Sequence, residues 1–141
     1  MSNLLDVYTT AFQGIAALIA LWLVQWFVAS LTKASRPDAV PGKIDDSLSH
    51  DSFVFRAHRT FMNSLENLPV MFATAFLAVL VGADPFWTGL LIWVFVVARA
   101  VHMVLYYVIA TERNPSPRSY FFMIGLAANL ALLVFCVTAM I

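Results

Sequence analysis

Four apolar stretches, at about residues 7–31, 53–81, 85–110 and 117–141, each hold enough residues to cross a hydrocarbon layer about 30 Å thick as a helix. Short polar segments punctuate them, so the chain is constrained to be an all-α membrane protein, a bundle of four spans within one integral domain, residues 1–141. Composition agrees: 62% of residues are hydrophobic and 11% charged, with a mean hydropathy of +0.84, too apolar for a soluble core of this size. A formal net charge of zero gives no reason to expect nucleic acid. The lone Cys136 has no intrachain disulfide partner and lies in an apolar run, where a packed thiol is expected.

No basic region precedes the first apolar stretch and no small-residue cleavage pattern interrupts it, so it reads as a retained span and not a signal peptide. The segment 32–52 breaks sharply in composition, with two prolines, a glycine and many charges, and forms the first loop. Asp51 or Ser52 caps the second helix. Gly82, Ala83 and Asp84 form a tight turn, Asp84-Pro85 and Ser116-Pro117 are cap-plus-proline helix starts, and Pro69 predicts a kink or a loosened turn beside Glu66. Of the Lys and Arg residues, all but Arg99 belong to the side carrying the first and third loops. By the positive-inside rule those loops are cytoplasmic and both chain ends are non-cytoplasmic.

The segment Arg56 to Pro69 carries the functional signal. Arg56, Arg59, Asn63 and Glu66 recur at one helical face, within about 80° of one another. Polar groups inside a membrane helix are costly unless they face a partner, a ligand or water, so the stripe marks a site. Arg99, His102 and Tyr106 form a matching stripe on the third helix. Counting residues back from the Gly82 turn puts Glu66 opposite Arg99, Asn63 level with His102 and Arg59 level with Tyr106. A purely structural ion pair would explain Glu66 and Arg99, but it leaves Arg56, Arg59, Arg113 and Arg118 without matching carboxylates, and surplus cation around a cleft calls for an anion. His50 and His58 have no second histidine or cysteine at ligand spacing, so no metal site is expected. Nothing resembles a phosphate-binding loop, a dinucleotide fingerprint or a nucleophile elbow.

These residues resemble the MAPEG superfamily, the membrane-associated proteins in eicosanoid and glutathione metabolism. The carriers are R-x-x-R at Arg56 and Arg59, then N-x-x-E-N at Asn63, Glu66 and Asn67. The R-x-x-H-x-x-x-Y of Arg99, His102 and Tyr106, and the third loop with Arg113 and Arg118-Ser119, are similar to the microsomal prostaglandin E synthase branch, and the whole to microsomal glutathione transferases. Phe61 and Ser64 stand where the family often has histidine and aspartate, and one residue is inserted ahead of Arg118.

The resemblance implies a homotrimer of four-helix bundles in a bacterial inner or microsomal membrane, with glutathione bound between subunits toward the cytoplasm. It implies that Glu66 holds the ammonium and bridges to Arg99, that Arg56, Arg59, Asn63, His102, Tyr106, Arg113 and Lys33 complete the ligand site, and that Arg118 with Ser119 sits nearest the sulfur. The implied function is a membrane glutathione transferase acting on a hydrophobic small-molecule or lipid substrate, with peroxidase chemistry open to the same thiolate. The alternatives are a non-catalytic lipid-binding scaffold of the same fold and a small transporter or channel subunit.

Overall fold

The computed structural model describes residues 3–141. A short helix, α1 (Leu4–Val7), breaks at Tyr8 and is followed by α2 (Thr9–Ala34), α3 (Phe53–Leu80), α4 (Pro85–Val108) and α5 (Pro117–Met140). The last four are long and apolar enough to cross a membrane. The first span thus begins after a break at Tyr8. The phenol there is a fastener, since its hydroxyl donates to the Ala83 carbonyl at 2.6 Å and pins the start of α2 to the α3–α4 turn.

That turn follows from local chemistry. Gly82 takes a left-handed φ of 70°, the Gly82 N–H reaches the Val79 carbonyl and the Ala83 N–H reaches Ala78, which closes α3 with a Schellman motif. Asp84 then accepts from the Trp87 N–H at 3.0 Å, with Pro85 as first helical residue. Ser52 is the N-cap of α3, without a side-chain bond to the helix. The helix runs without interruption through Pro69.

The described residues divide the bundle into two halves of different chemistry. Toward the α3–α4 turn the interior is mainly apolar, with Leu18, Leu68, Met71, Ile92, Leu132 and Cys136 fully buried beside the buried polar side chains of Thr74 and Thr88. Close approach of α2 to α4 depends on Gly14, where an added Cβ would come within 2.6 Å of the Ile92 side chain. Toward the first and third loops the interior turns polar, burying Gln25, Thr60, Ser64, Arg99 and His102. Polarity buried at one end of a membrane bundle positions a site there.

Candidate functional site

Small residues place α3 against α4. Ala57, Thr60 and Ser64 form the buried strip of α3, and small side chains at this spacing let membrane helices approach closely. Arg99, only 1% exposed, donates from Nη2 to the Ser64 hydroxyl at 2.9 Å. Arg56 donates from Nη2 to the Tyr107 carbonyl at 3.3 Å, about two helical turns outward along the same antiparallel pair.

This register corrects one sequence expectation. Two positions along a helix turn through about 200°, so with Ser64 facing Arg99, Glu66 points away. Glu66 is exposed and, among the described residues, forms no ion pair with Arg99. The residue that meets Arg99 is therefore the one standing where the resemblance expects aspartate.

Six of the expected residues do converge. Arg59, Asn63, His102, Tyr106, Arg118 and Ser119 line one cleft of about 300 Å³, closed on its apolar side by Phe122 and Met123. Asn63 Oδ1 and His102 Nδ1 are buried without a partner among the described residues, and so is Arg99 Nε deeper in. Buried polar atoms are ordinarily paired, so the two that belong to cleft-lining residues are what a polar ligand can satisfy. No carboxylate lines the cleft against Arg59 and Arg118.

Arg118 is held at the cleft wall. Its guanidinium lies 4.0 Å from the centre of the Tyr106 ring, and Nη2 donates to the Thr111 carbonyl at 3.3 Å. Beside it, Ser119 Oγ accepts from the Ser116 N–H at 3.2 Å and lies 3.0 Å from Ser116 Oγ, tying the first turn of α5 to its cap. When Ser116 donates that second bond, the Ser119 hydroxyl proton is free to donate elsewhere, and accepting two bonds makes it a better donor.

Three other expected residues lie apart from this cleft. Arg56 is committed to backbone: Nη1 donates to the His50 and Asp51 carbonyls at 2.6 and 2.9 Å, and it clasps the end of the first loop to α4. Arg113 is exposed and lines an outer cleft of about 540 Å³ with His50, Glu112 and Asn114, which shares Arg118 and Ser119 with the inner one. Lys33 lines a pocket of the first loop with Arg36, Asp38 and Lys43.

A family model for the MAPEG family matches residues 7–138. The chain belongs to the MAPEG family. No curated protein and no solved structure matches it. Membership places this MAPEG chain among integral, multi-pass membrane proteins of eicosanoid and glutathione metabolism, and the four spans of the structure accord with that fold.

With no metal site expected, the sequence by itself gives His50 no role. In the structure its ring stacks on Tyr106, with centroids 5.9 Å apart, and Nε2 lies 3.2 Å from the Tyr106 hydroxyl. The available signal was its place just ahead of the α3 cap, where the first loop must return to the polar end of the bundle.

Proposed function

We propose that this MAPEG protein is a membrane glutathione transferase, with its four spans acting as one domain. The observation that carries the reading is the inner cleft, which gathers Arg59, Asn63, His102, Tyr106, Arg118 and Ser119 around polar atoms lacking partners and offers cations without carboxylates. Glutathione has the complementary chemistry: two carboxylates, amides, an ammonium and a thiol. It supplies the nucleophilic sulfur when bound.

In this reading Arg59 pairs with a carboxylate, Asn63 and His102 meet the peptide groups, and Arg118 with the Ser119 hydroxyl stabilises the thiolate. The backbone donors at the start of α5 add to that field. Arg113, in the outer cleft, supplies positive potential at the mouth. A hydrophobic electrophile reaches the site from the bilayer past Phe122 and Met123. The same thiolate would serve a peroxidase reaction.

The working unit in this proposal is a homotrimer. Glu66 falls mid-way along the 28-residue α3 and, like Arg59, is exposed on the outside of the bundle, where lipid is a poor neighbour for a charge. A second copy against that face would cover both and let Glu66 hold the ammonium of a ligand shared between subunits. Lys33 would then act at the interface and not in its own chain's cleft. The site faces the cytoplasm in this arrangement.

Calorimetric titration of the purified protein with glutathione tests the binding, and conjugation of the thiol to a hydrophobic electrophile tests the chemistry. Absence of binding sinks the proposal. Binding without turnover would select the non-catalytic scaffold of the same family.

A further inference from the structure

The outer and inner clefts share a wall, and His50 stands behind it. This residue lies in the first loop, yet its ring contacts four other parts of the chain. It stacks on Tyr106 of α4, meets Phe55 of α3 edge-on at 5.0 Å, and sets Nδ1 3.6 Å from Glu112 Oε1 in the third loop. Nε2 lies 3.3 Å from Arg118 Nη2 of α5 and 3.2 Å from the Tyr106 hydroxyl. The other charged groups around it are Arg56, which holds its carbonyl, the adjacent Asp51, and Arg113 in the same outer cleft.

A guanidinium has donors and no acceptor. An Nε2 that accepts from Arg118 presents its lone pair, which is the arrangement of the Nδ1–H tautomer, with Nδ1 on the side of Glu112. The Arg118 guanidinium is then fixed from three sides, by His50 Nε2, by the Thr111 carbonyl and by the face of Tyr106. We infer that His50 is the positioning residue for Arg118, holding it beside Ser119 on the wall between the clefts as the neutral Nδ1–H tautomer. Protonation replaces the Nε2 lone pair with a donor facing another donor and places two cations side by side. The contact therefore exists only while His50 is neutral. The kinetic consequence rests on the transferase reading; the tautomer and the contact do not.

Two measurements on the full-length protein in nanodiscs separate these layers. In the first, ¹⁵N spectra of histidine-labelled, ligand-free protein, assigned with His50→Gln, are expected to show His50 as the Nδ1–H tautomer and to lose that preference in Arg118→Ala. An Nε2–H tautomer, or a His50 signal indifferent to Arg118→Ala, overturns the inference. In the second, glutathione conjugation is followed against pH. His50→Leu is expected to lower kcat about tenfold or more while KM for glutathione moves little, the cost of a misplaced catalytic group. His50→Gln, whose side-chain oxygen accepts at a similar reach and does not titrate, recovers most of that loss and lacks the wild-type fall in kcat as histidine is protonated. Equal losses in the two variants, with wild-type pH dependence retained, reduce His50 to a packing residue and overturn the inference. Should wild type fail to bind glutathione, the transferase proposal falls, and the spectra alone decide the His50–Arg118 contact.

Discussion

Arg99 and Ser64 join α4 to α3 through a 2.9 Å hydrogen bond in the polar half of the bundle, a buried guanidinium facing a neutral hydroxyl. Removing the hydroxyl strips Arg99 of its side-chain partner among the described residues, and unpaired buried polar groups cost about 1–3 kcal/mol, more when charged. Ser64→Ala is therefore expected to destabilise the bundle by about 2 kcal/mol. Ser64→Asp offers a carboxylate at the same place and is expected to exceed the alanine variant in stability. Unfolding titrations in mixed micelles check both, and wild-type stability in Ser64→Ala would show that the Arg99–Ser64 bond contributes nothing.

The two arginines of the R-x-x-R pair are expected to fail differently. Arg56 spends its guanidinium on the carbonyls of His50, Asp51 and Tyr107, so Arg56→Ala should lower stability by about 2 kcal/mol, the scale of hydrogen bonds to a charged group. Arg59 is exposed and lines the inner cleft, so Arg59→Ala should leave unfolding nearly unchanged while weakening glutathione binding about tenfold. Thermal unfolding and calorimetry on the pair of variants read out the contrast. Equal behaviour would mean that the clasp and the cleft are not separate.

Much of this was legible in the residues because it depends on local rules. Apolar length gave the four spans, Asp84-Pro85 and Gly82 the turn between α3 and α4, and the resemblance gave the MAPEG fold. The depth count also placed Asn63 with His102 and Arg59 with Tyr106 in one cleft. It failed at Glu66 because depth is one coordinate and rotation about the helix axis is another. Matched depth predicts a polar stripe facing α4, whereas Ala57, Thr60 and Ser64 face the interior and turn Arg59 and Glu66 outward. Spacing of small residues carried that information. For His50 the place just ahead of the α3 cap points to the polar end of the bundle but not to its partners at positions 106, 112 and 118, which meet it only through the paths of two loops.

Topology gives a test independent of ligand. The surplus of Lys and Arg at the first and third loops is expected to hold those loops in the cytoplasm and Asn3 on the opposite face. Single cysteines at positions 3 and 43, in a Cys136→Ala background, distinguish the two sides with an impermeant thiol reagent. Labelling of position 3 from the cytoplasm would invert the assignment.

The first loop has its own pH dependence. Arg36 bonds both Asp38 and Asp45, and its hydrogen bonds hold the Asp38 carboxyl below its ordinary value, while the Ser47 backbone and hydroxyl do the same for Asp45. A carboxylate depressed in the fold contributes above its unfolded pKa and loses that contribution as pH falls through the folded one. The loop clasp is thus expected to persist at neutral pH and to loosen only below the usual aspartate range. Asp38 is exposed and Asp45 and Arg36 are half-buried at the surface of the loop, so the effect is local and screened by salt. Hydrogen exchange over residues 36–47 should quicken in acid and in Arg36→Ala, with the rate in α3 unmoved. Uniform exchange at all pH values would show the clasp to be inert.

The strongest demand falls on Arg118, because a thiol titrating near 8.5 is only a few per cent thiolate at neutral pH. Three sources of stabilisation meet at its position: its own charge, the Ser119 hydroxyl backed by Ser116, and the first turn of α5 with Pro117 at its start. Lowering the thiol by two units corresponds to about 2.7 kcal/mol, a plausible yield for the three together. Arg118→Ala is therefore expected to keep most of the glutathione affinity, supplied by Arg59 and Asn63, while turnover falls steeply and recovers in part at higher pH. Arg118→Lys separates charge from shape: lysine keeps the cation but gives up the planar stack on Tyr106 and the Nη2 donor that meets both Thr111 and His50, so its turnover should lie between alanine and wild type. Thiolate absorbance near 240 nm, titrated in the three proteins, reports the thiol directly. Identical titrations would mean that Arg118 does not activate the sulfur, and Arg113, on the outer side of the same wall, would be the next residue to test.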